Sequence, residues 1–428
     1  MPEGGSGLEA PPWAQLCYSA SRMAKRLAPL LPFQEDGFAA PLEELEQWRH
    51  ALDAKAPLVR SWEGQLRRDL QAEAVAASTS MEGVPVTVEE VRRILVGERP
   101  ASVAEGDRDL VLGYRDAMSY ALRRADDPVF EWSPELVKAI HDRVMAGRFT
   151  RGAGRYGKAR FIVNDQSGEV VYEPPAASEV ERLVEHVCRR MTALRAHPAI
   201  AAAWIHVAIA AVHPFGDGNG RTARVLSSLA MYRGGFKRPE FCSLEEWWGR
   251  HRAEYYGAFG ALGRRWDPAA DVTSFVRAHV SAQLSQVRAL DLRERTTRHV
   301  WVALERVCEE GGIPDRAAML LWDVFNERSV TPQYYVALAD ISRATATADL
   351  ASLRGAGLIS PVGATRGRHY VKGPRLYELV AKEVGTEEAD ADRSSIVGAI
   401  AARLTRVEEG PAAYAAASAS SRSRFAGS

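Results

Sequence analysis

A run of twelve residues at positions 213–224, HPFGDGNGRTAR, combines a histidine, a carboxylate, three glycines and two arginines. Its glycines let the backbone turn tightly and bring consecutive N–H groups toward a ligand, and a helix starting there would add its positive N-terminal end. Arg221 and Arg224 are three residues apart, so both guanidinium groups can point along one face of that helix and bind phosphate oxygens. The run therefore predicts a loop that binds phosphate.

Two further side chains in this run indicate a reaction. Asp217 supplies an oxygen ligand for Mg²⁺, which rarely takes more than a couple of carboxylates when a triphosphate supplies its other ligands. His213 belongs to the residue type that titrates near neutral pH, so it is suited to take a proton from an attacking hydroxyl. A histidine before a proline is by itself usually structural, as are two arginines three residues apart. The uninterrupted combination has little structural purpose and favours catalysis.

The run resembles the signature of the Fic family, HPFx[D/N]GNGRxxR, and matches it at every defined position. The resemblance implies transfer of AMP from ATP to a hydroxyl of a target protein or of the chain itself, with pyrophosphate leaving. It also implies that His213 is the general base and that Asp217 is the Mg²⁺ ligand. The implied phosphate-binding residues are Gly218, Asn219, Gly220, Arg221 and Arg224.

The identity of the transferred group has alternatives. Members that phosphorylate their targets tend to carry lysine where this chain has Gly220, so the glycine favours the adenylylating branch. UMP, phosphate and phosphocholine stay open, because the loop recognises phosphates better than bases. A different reading is a DNA-binding regulator with a vestigial nucleotide site, and the intact run argues against it.

A second short motif precedes the run. Ser78, Glu82 and Gly83 end a helical stretch, and on their own they indicate only a helix C-terminus. They also resemble the inhibitory motif [S/T]xxxE[G/N] of the family class with an N-terminal inhibitory helix, here at about residues 64–83. The resemblance implies that Glu82 pairs with Arg224 and occupies the guanidinium that should orient the ATP γ-phosphate. A carboxylate there could instead activate water and remove AMP from a modified target.

A short hairpin is predicted at residues 160–173. Two apolar stretches flank a polar turn at 164–168, and the hairpin ends at Pro174 and Pro175. In the family this is the position of the flap, which holds a target segment by strand addition. An incidental surface hairpin is the alternative. The implied target-binding residues of the flap are Phe161, Ile162 and Val163.

Two tyrosines after the catalytic helix are candidates for the nucleotide base. Tyr255 and Tyr256 lie where many family members have a tyrosine pair, and they could stack on adenine. An aromatic pair at this spacing is equally often part of the core. His206, on an otherwise apolar helix, is more typical of a packed or hydrogen-bonded histidine.

The remaining pattern predicts the elements that position these residues. Apolar residues recur at helical spacing from Pro41 to Ala146, and Ala199–Val212 is apolar on almost every face, as a central buried helix would be. The fold class is therefore mainly α, with a Fic-type helical core and a flap, followed by a small α/β winged-helix domain. The predicted segments are a partly disordered N-terminus (1–40), the catalytic domain (41–294), the winged helix-turn-helix (295–384) and an Ala/Ser-rich, largely disordered tail (385–428).

The winged-helix prediction depends on two short helices, a turn and two short strands within residues 331–371. Between Val330 and Arg375 there are six Lys/Arg and two Asp/Glu, a modest excess for a DNA-binding domain. Such modules also mediate protein contact or dimerisation. Basic residues of the helix and wing are Arg343, Arg354, Arg366, Arg368 and Lys372.

Composition limits the other functions. The 55 basic and 55 acidic residues cancel, so no overall field attracts the chain to nucleic acid or membrane. The four cysteines are far apart and lack zinc-site spacing, and the sequence shows neither a signal-peptide pattern nor an apolar run of membrane length. We expect a cytoplasmic protein with ATP and a hydroxyl-bearing target as partners, whereas homodimer formation stays open.

Overall fold

The computed structural model describes residues 30–53, 61–157, 162–163, 169–237, 244–364, 367–386 and 391–406. These residues are mostly helical, which confirms the predicted mainly α fold class. The chain separates into two compact units. The first comprises residues up to 49 together with 69–287, and the second comprises residues 50–68 together with 288–428.

The described residues up to 310 form a series of helices and one small hairpin. In chain order the helices are α1 (Ala39–Asp53), α2 (Ser61–Ser80), α3 (Val88–Leu95), α4 (Glu105–Ala125), α5 (Pro134–Val144), α6 (Val180–Ala193), α7 (Pro198–Val212), α8 (Asn219–Arg233), α9 (Glu245–Arg250), α10 (Arg252–Ala258) and α11 (Thr273–Glu310). The strands are β1 (Ile162–Val163) and β2 (Val170–Tyr172), which pair antiparallel.

Helix α7 lies at the centre of the first unit. Pro198 at its first turn and the His197 side chain, which accepts a hydrogen bond from Ala199 N, define its start. Almost every residue of α7 is buried, as its apolar sequence predicts. Helix α8 packs against α7 and the six residues between them, 213–218, form a tight loop. The run 213–224 thus comprises this loop and the first residues of α8.

Residues 30–38 also belong to this core, so the predicted start of the domain at residue 41 is too late. Leu30, Leu31 and Phe38 are buried, and the Trp204 indole N–H of α7 donates to Leu31 O at 3.0 Å. Burying three large apolar side chains stabilises this ordered segment. The rest of the predicted N-terminal segment, residues 1–29, lies outside the described residues.

The second unit continues from α11 with further helices and a hairpin. The helices are α12 (Ala317–Phe325), α13 (Pro332–Ala339), α14 (Arg343–Gly355), α15 (Leu376–Val384) and α16 (Arg393–Arg406). Strands β3 (Ile359–Val362) and β4 (His369–Lys372) pair antiparallel, with Ser360 opposite Val371. Short helices followed by a hairpin agree with the predicted element order, whereas the winged-helix assignment itself stays a prediction.

Two segment boundaries of this region differ from the predicted ones. Helix α11 runs through residues 294 and 295 without interruption, and the two compact units divide within it at 287/288. Residues 393–406, placed in the disordered tail, form α16, because Ile396 and Ile400 are four residues apart and both are buried in the core of the second unit. The low-complexity residues 407–428 lie outside the described part of the chain.

Expectations from the sequence also concern membrane spans and cysteines. Among the described residues, none of the helices is long and apolar enough to cross a membrane. Cys188 and Cys308 are free and buried, and burial raises the pKa of each thiol to about 12, so neither is a reactive thiolate at neutral pH. The cytoplasmic location stays a prediction.

Candidate active site

His213 lies at the point where the chain leaves α7. It has a left-handed backbone (φ 48°, ψ 56°), and its N–H still donates to Ile209 O at 3.0 Å. A non-glycine residue in this conformation costs on the order of 1 kcal/mol, so the surrounding structure has to enforce it. The half-buried histidine is therefore fixed in position at the mouth of the loop.

Helix α8 starts at the end of this loop. Gly218 has a left-handed backbone (φ 74°), and a Cβ there would come within 2.9 Å of Met145 Sδ, so the position requires glycine. The first regular helical hydrogen bond runs from Thr222 N to Gly218 O at 3.0 Å. The N–H groups of the three preceding helical residues consequently have no acceptor within the helix, and they form an anion-binding end.

Asn219 fixes the loop with its side chain. Its Oδ1 accepts from Phe215 N at 2.9 Å and its Nδ2 donates to Phe215 O at 2.8 Å. The side chain is buried and both amide groups are used within the loop. Asn219 therefore contributes its backbone N–H to the anion-binding end, while its side chain holds the loop shape.

His141 of α5 holds the same loop from outside, and sequence reasoning missed it. Its ring stacks on Phe215 with centroids 3.6 Å apart, and its Nδ1 accepts from Gly154 N at 3.0 Å. Nε2 is therefore the protonated nitrogen, and it donates to Asp217 O at 3.0 Å. Burial lowers the pKa of His141 to about 4, in keeping with this neutral form. A single histidine on an amphipathic helix gives no sequence signal for such a role.

Asp217 and Arg221 are adjacent and differ sharply in exposure. The Asp217 side chain is 55% exposed, and its Oδ1 accepts from Gly218 N at 2.6 Å and from Arg221 Nη2 at 3.2 Å. Arg221 is buried, yet its Nε and Nη1 have no hydrogen-bond partner among the described residues. Buried guanidinium nitrogens without an acceptor suit a phosphate oxygen.

A metal ion at Asp217 would need ligands from a substrate. In the described part of the chain, no group of three or more His, Cys, Asp or Glu side chains is arranged to hold a metal. A single exposed carboxylate beside a phosphate site is the usual donor set for Mg²⁺, which takes most of its remaining ligands from phosphate and water. The residues present therefore fit Mg²⁺ bound together with a nucleotide.

The Arg224 side chain donates four hydrogen bonds within the site. It is 3% exposed, and its Nε and Nη2 donate to Ser78 Oγ at 2.9 Å and Ser78 O at 3.1 Å. Nη2 also donates to Glu82 Oε1 at 2.9 Å, and Nη1 donates to the Tyr255 hydroxyl at 3.1 Å. Burial lowers the pKa of Arg224, but Tyr255 and Glu82 outweigh it and the pKa is raised, so the guanidinium stays charged.

Glu82 reaches the N-terminal end of α8. It follows α2 in a turn closed by Gly83 (φ 80°), and its carboxylate lies so close to Gly220 that a Cβ at that position would overlap Glu82 Oε1. The carboxylate thus occupies space at the anion-binding end of α8 while pairing with Arg224. The structure brings Ser78, Glu82 and Arg224 together, as the motif resemblance implied.

The predicted tyrosine pair divides into two different environments. Tyr255 is 3% exposed and packs among Trp248, Tyr256 and Phe259, so the expectation that it stacks on adenine is wrong. Its hydroxyl instead accepts from Arg224, which leaves the hydroxyl hydrogen for His206 Nε2 at 3.2 Å. Tyr256 is 54% exposed and donates to Met81 O at 3.1 Å, and its contact with adenine stays a prediction.

The hairpin β1–β2 lies beside this site. Ile162 is opposite Tyr172, whose hydroxyl donates to Ala211 O of α7 at 3.0 Å and thereby ties the hairpin to the end of that helix. Val170 and Val171 of β2 are both exposed. Phe161 lies outside the described residues, and only the backbone of Val163 is described. Target binding by these residues stays a prediction.

Part of the chain is similar to known proteins. Residues 131–231 match the Fic/DOC family. The protein adenylyltransferase Fic of Nematostella vectensis is 28% identical over 165 residues, which cover 37% of each chain. The protein adenylyltransferase fic-1 of Caenorhabditis elegans is 45% identical over 131 residues, which cover 30% of this chain and 23% of that protein. The chain thus spans less than half the length of these relatives.

A solved structure of a Fic family protein from Desulfovibrio desulfuricans also aligns with the chain. The two share 18% sequence identity with a TM-score of 0.49. The alignment covers 81% of this chain and 99% of that protein.

Two buried histidines behind Arg224 predict acid sensitivity of the first unit. Burial lowers the pKa of His206 well below its ordinary value and that of His279 to about 3, and His279 also contacts Ser227 Oγ at 3.2 Å. Below pH 6.5 the unfolded chain binds protons that the folded chain does not, so the free energy of unfolding decreases as the pH is lowered, by about 2 kcal/mol for His279 between pH 6.5 and 5.

Amide hydrogen exchange of α7 at pH 7, 6 and 5 measures this effect after correction for intrinsic exchange. The control is His279→Gln, which keeps a polar group toward Ser227 and removes one titrating site. We expect a smaller pH dependence in this variant. Identical pH dependence in the two proteins would contradict the assignment.

Proposed function

Because residues 131–231 form a domain of the Fic/DOC family, we propose that this chain transfers AMP from ATP to a hydroxyl of a target protein. The observation that carries the proposal is the loop 213–218 together with the first turn of α8. There a fixed histidine, an exposed carboxylate and a buried arginine with two unused nitrogens face one anion-binding helix end. The names of the relatives, protein adenylyltransferases, support the same activity.

The proposed reaction is a single displacement at the α-phosphorus of ATP. His213 takes the proton of the target hydroxyl, whose oxygen forms a bond to the α-phosphorus of ATP. The bond from this phosphorus to its bridging oxygen breaks, and pyrophosphate leaves with the electron pair. The α8 N–H groups and Arg221 stabilise the charge on the phosphates. Asp217 would hold Mg²⁺, which when bound neutralises part of that charge.

Glu82 acts as a brake in this proposal. Its carboxylate pairs with Arg224 and lies over Gly220, where the terminal phosphates of a productively bound ATP would be held. Glu82 and a phosphate compete for the same Arg224 nitrogen and for the same space at the helix end, so ATP with Glu82 in place binds without correct orientation. A second role, activation of water to remove AMP from a modified target, would use the same carboxylate.

Experiments can distinguish three alternatives from AMP transfer. UMP, phosphate or phosphocholine transfer would be shown by competition between labelled donors. Removal of AMP would be lost in Glu82→Gln when a purified modified target is the substrate. A regulator with a vestigial site would show no transfer with any donor. Self-modification and homodimer formation are further predictions for this domain.

The first test measures incorporation of label from α-³²P-ATP with Mg²⁺ into the chain itself and into added protein. We expect Glu82→Gly to raise labelling several-fold or more, because the carboxylate no longer occupies Arg224, and Glu82→Gly/His213→Ala to show none. The matched control is Glu131→Gly, an exposed glutamate in a loop, which should leave labelling unchanged. No label in any variant would contradict AMP transfer, and equal label in wild type and Glu82→Gly would contradict the brake.

A second test uses Gly220. A Cβ there would overlap Glu82 Oε1, which lies where the terminal phosphates of ATP would be held, so Gly220→Ala fills the phosphate space itself. In the Glu82→Gly background, where the brake is absent, Gly220→Ala should therefore lower labelling at least several-fold. Gly257→Ala in the same background is the control, since no atom lies within 4 Å of a Cβ at that position. Unchanged labelling in Gly220→Ala/Glu82→Gly would contradict the placement of the phosphates at this helix end.

We also propose that the helix-and-hairpin module of the second unit contacts DNA or a protein partner. Arg343, Arg354, Arg368 and Lys372 are exposed, whereas the one acidic residue of α14, Asp349, is buried and bonded to Arg316. In mobility-shift assays with duplex DNA we expect binding that weakens steeply with salt and that Arg343→Glu/Arg354→Glu reduces at least tenfold. No shift, or a shift insensitive to salt, would leave protein contact as the role.

A further inference from the structure

The second unit contains a cavity that the proposed transfer reaction does not use. It has a volume of about 350 Å³ and is lined by residues of α11, α15 and α16 only. Ala303 of α11 and Ile400 of α16 are buried within it, and the half-buried Val302, Val384 and Leu404 complete an apolar lining. The rest of the lining is four charged side chains and His299, so the cavity combines apolar walls with polar groups, as small-molecule sites do.

The charged residues of the cavity are mostly cationic. Arg298, Arg306 and Arg403 line it, together with one carboxylate, Glu383. Arg298 pairs with Glu294 at 3.6 Å and Arg306 with Glu383 at 3.8 Å, whereas Arg403 has no carboxylate partner among the described residues. The cavity thus combines apolar walls with one cation that is not paired with an acid, a combination that suits an anion with an apolar body.

Arg403 is held in place before any ligand arrives. Its Nη2 donates to Val384 O at 2.6 Å, and its Nε donates to Ala399 O at 3.4 Å. The guanidinium therefore sits at the C-terminal end of α15, bound to backbone groups and not to a carboxylate. A cation already fixed at the opening loses little side-chain entropy when an anion binds to it.

We propose that this cavity binds a small amphipathic carboxylate, with its apolar chain against Ala303 and Ile400 and its carboxylate at Arg403. The volume has room for roughly a dozen water-sized groups, which corresponds to a carboxylate of about ten carbon atoms. A highly charged phosphate ligand is disfavoured, because much of the lining is apolar and offers it no hydrogen bonds. The site gives the second unit a ligand of its own, independent of ATP.

The test measures binding to the full chain by isothermal titration calorimetry, with three ten-carbon probes kept below their micelle concentrations. These are decanoate, decan-1-ol and decyltrimethylammonium, which share the chain and differ in charge. We expect saturable one-to-one binding of decanoate, at least tenfold tighter than either of the others. Absence of decanoate binding, or equal affinity for the cationic probe, would overturn the proposal.

Two pairs of variants locate the site. Arg403→Glu should weaken decanoate binding at least tenfold, while Arg393→Glu, an exposed arginine of the same helix outside the cavity, should not. Ile400→Trp should fill the cavity and abolish binding, while Ala402→Trp, at an exposed position of the same helix, should not. Ile400 is buried, so a protein with Ile400→Trp can fail to fold. Arg403 is exposed, and Arg403→Glu still tests the site in that case. Unchanged affinity in Arg403→Glu would overturn the placement, and none of these results depends on AMP transfer.

Discussion

The buried guanidinium of Arg224 is the interaction on which the rest of the site depends. A charge that is 3% exposed is tolerable only when its donors are satisfied, and here the acceptors come from α2, from the turn after it and from α10. Three of the four acceptors, Ser78 Oγ, Ser78 O and the Tyr255 hydroxyl, are neutral and remain when Glu82 moves. Another anion can therefore replace the carboxylate while Arg224 keeps its neutral hydrogen-bond acceptors. A reversible brake requires this property.

The loop between α7 and α8 is shaped before any ligand binds. His141 and Asn219 hold Phe215 from two sides, and Gly157 packs so closely on Gly216 that a Cβ there would overlap its backbone. Each of these contacts uses groups that do not face the anion-binding end of α8. Separate residues thus position the loop and bind the phosphates, so little reorganisation is needed when the transition state forms.

The sequence predicted the parts of this site that depend on local chemistry. Glycines, arginines and a carboxylate around a helix start suffice to predict the phosphate loop, because each residue type serves one physical purpose there. Tyr255 was assigned wrongly because adjacent tyrosines carry no information on which ring is buried, and only packing against Trp248 and Phe259 decides it. His141 acts from a helix some seventy residues earlier in the chain, and Ile396 lies in a region whose overall composition resembles a linker. Such long-range contacts leave no local pattern.

The strength of the brake follows from how exposed the Glu82 carboxylate is. The Glu82 side chain is 22% exposed, so water partly replaces Arg224 as its partner when the carboxylate moves away. A charge-assisted hydrogen bond of this kind contributes about 1.5–3 kcal/mol. A competing anion must overcome that difference, which lowers its apparent affinity for the productive pose by roughly 10- to 150-fold. In the proposed reaction, an effect of this size slows transfer without abolishing it. The proposed brake is therefore one that a competing anion can overcome.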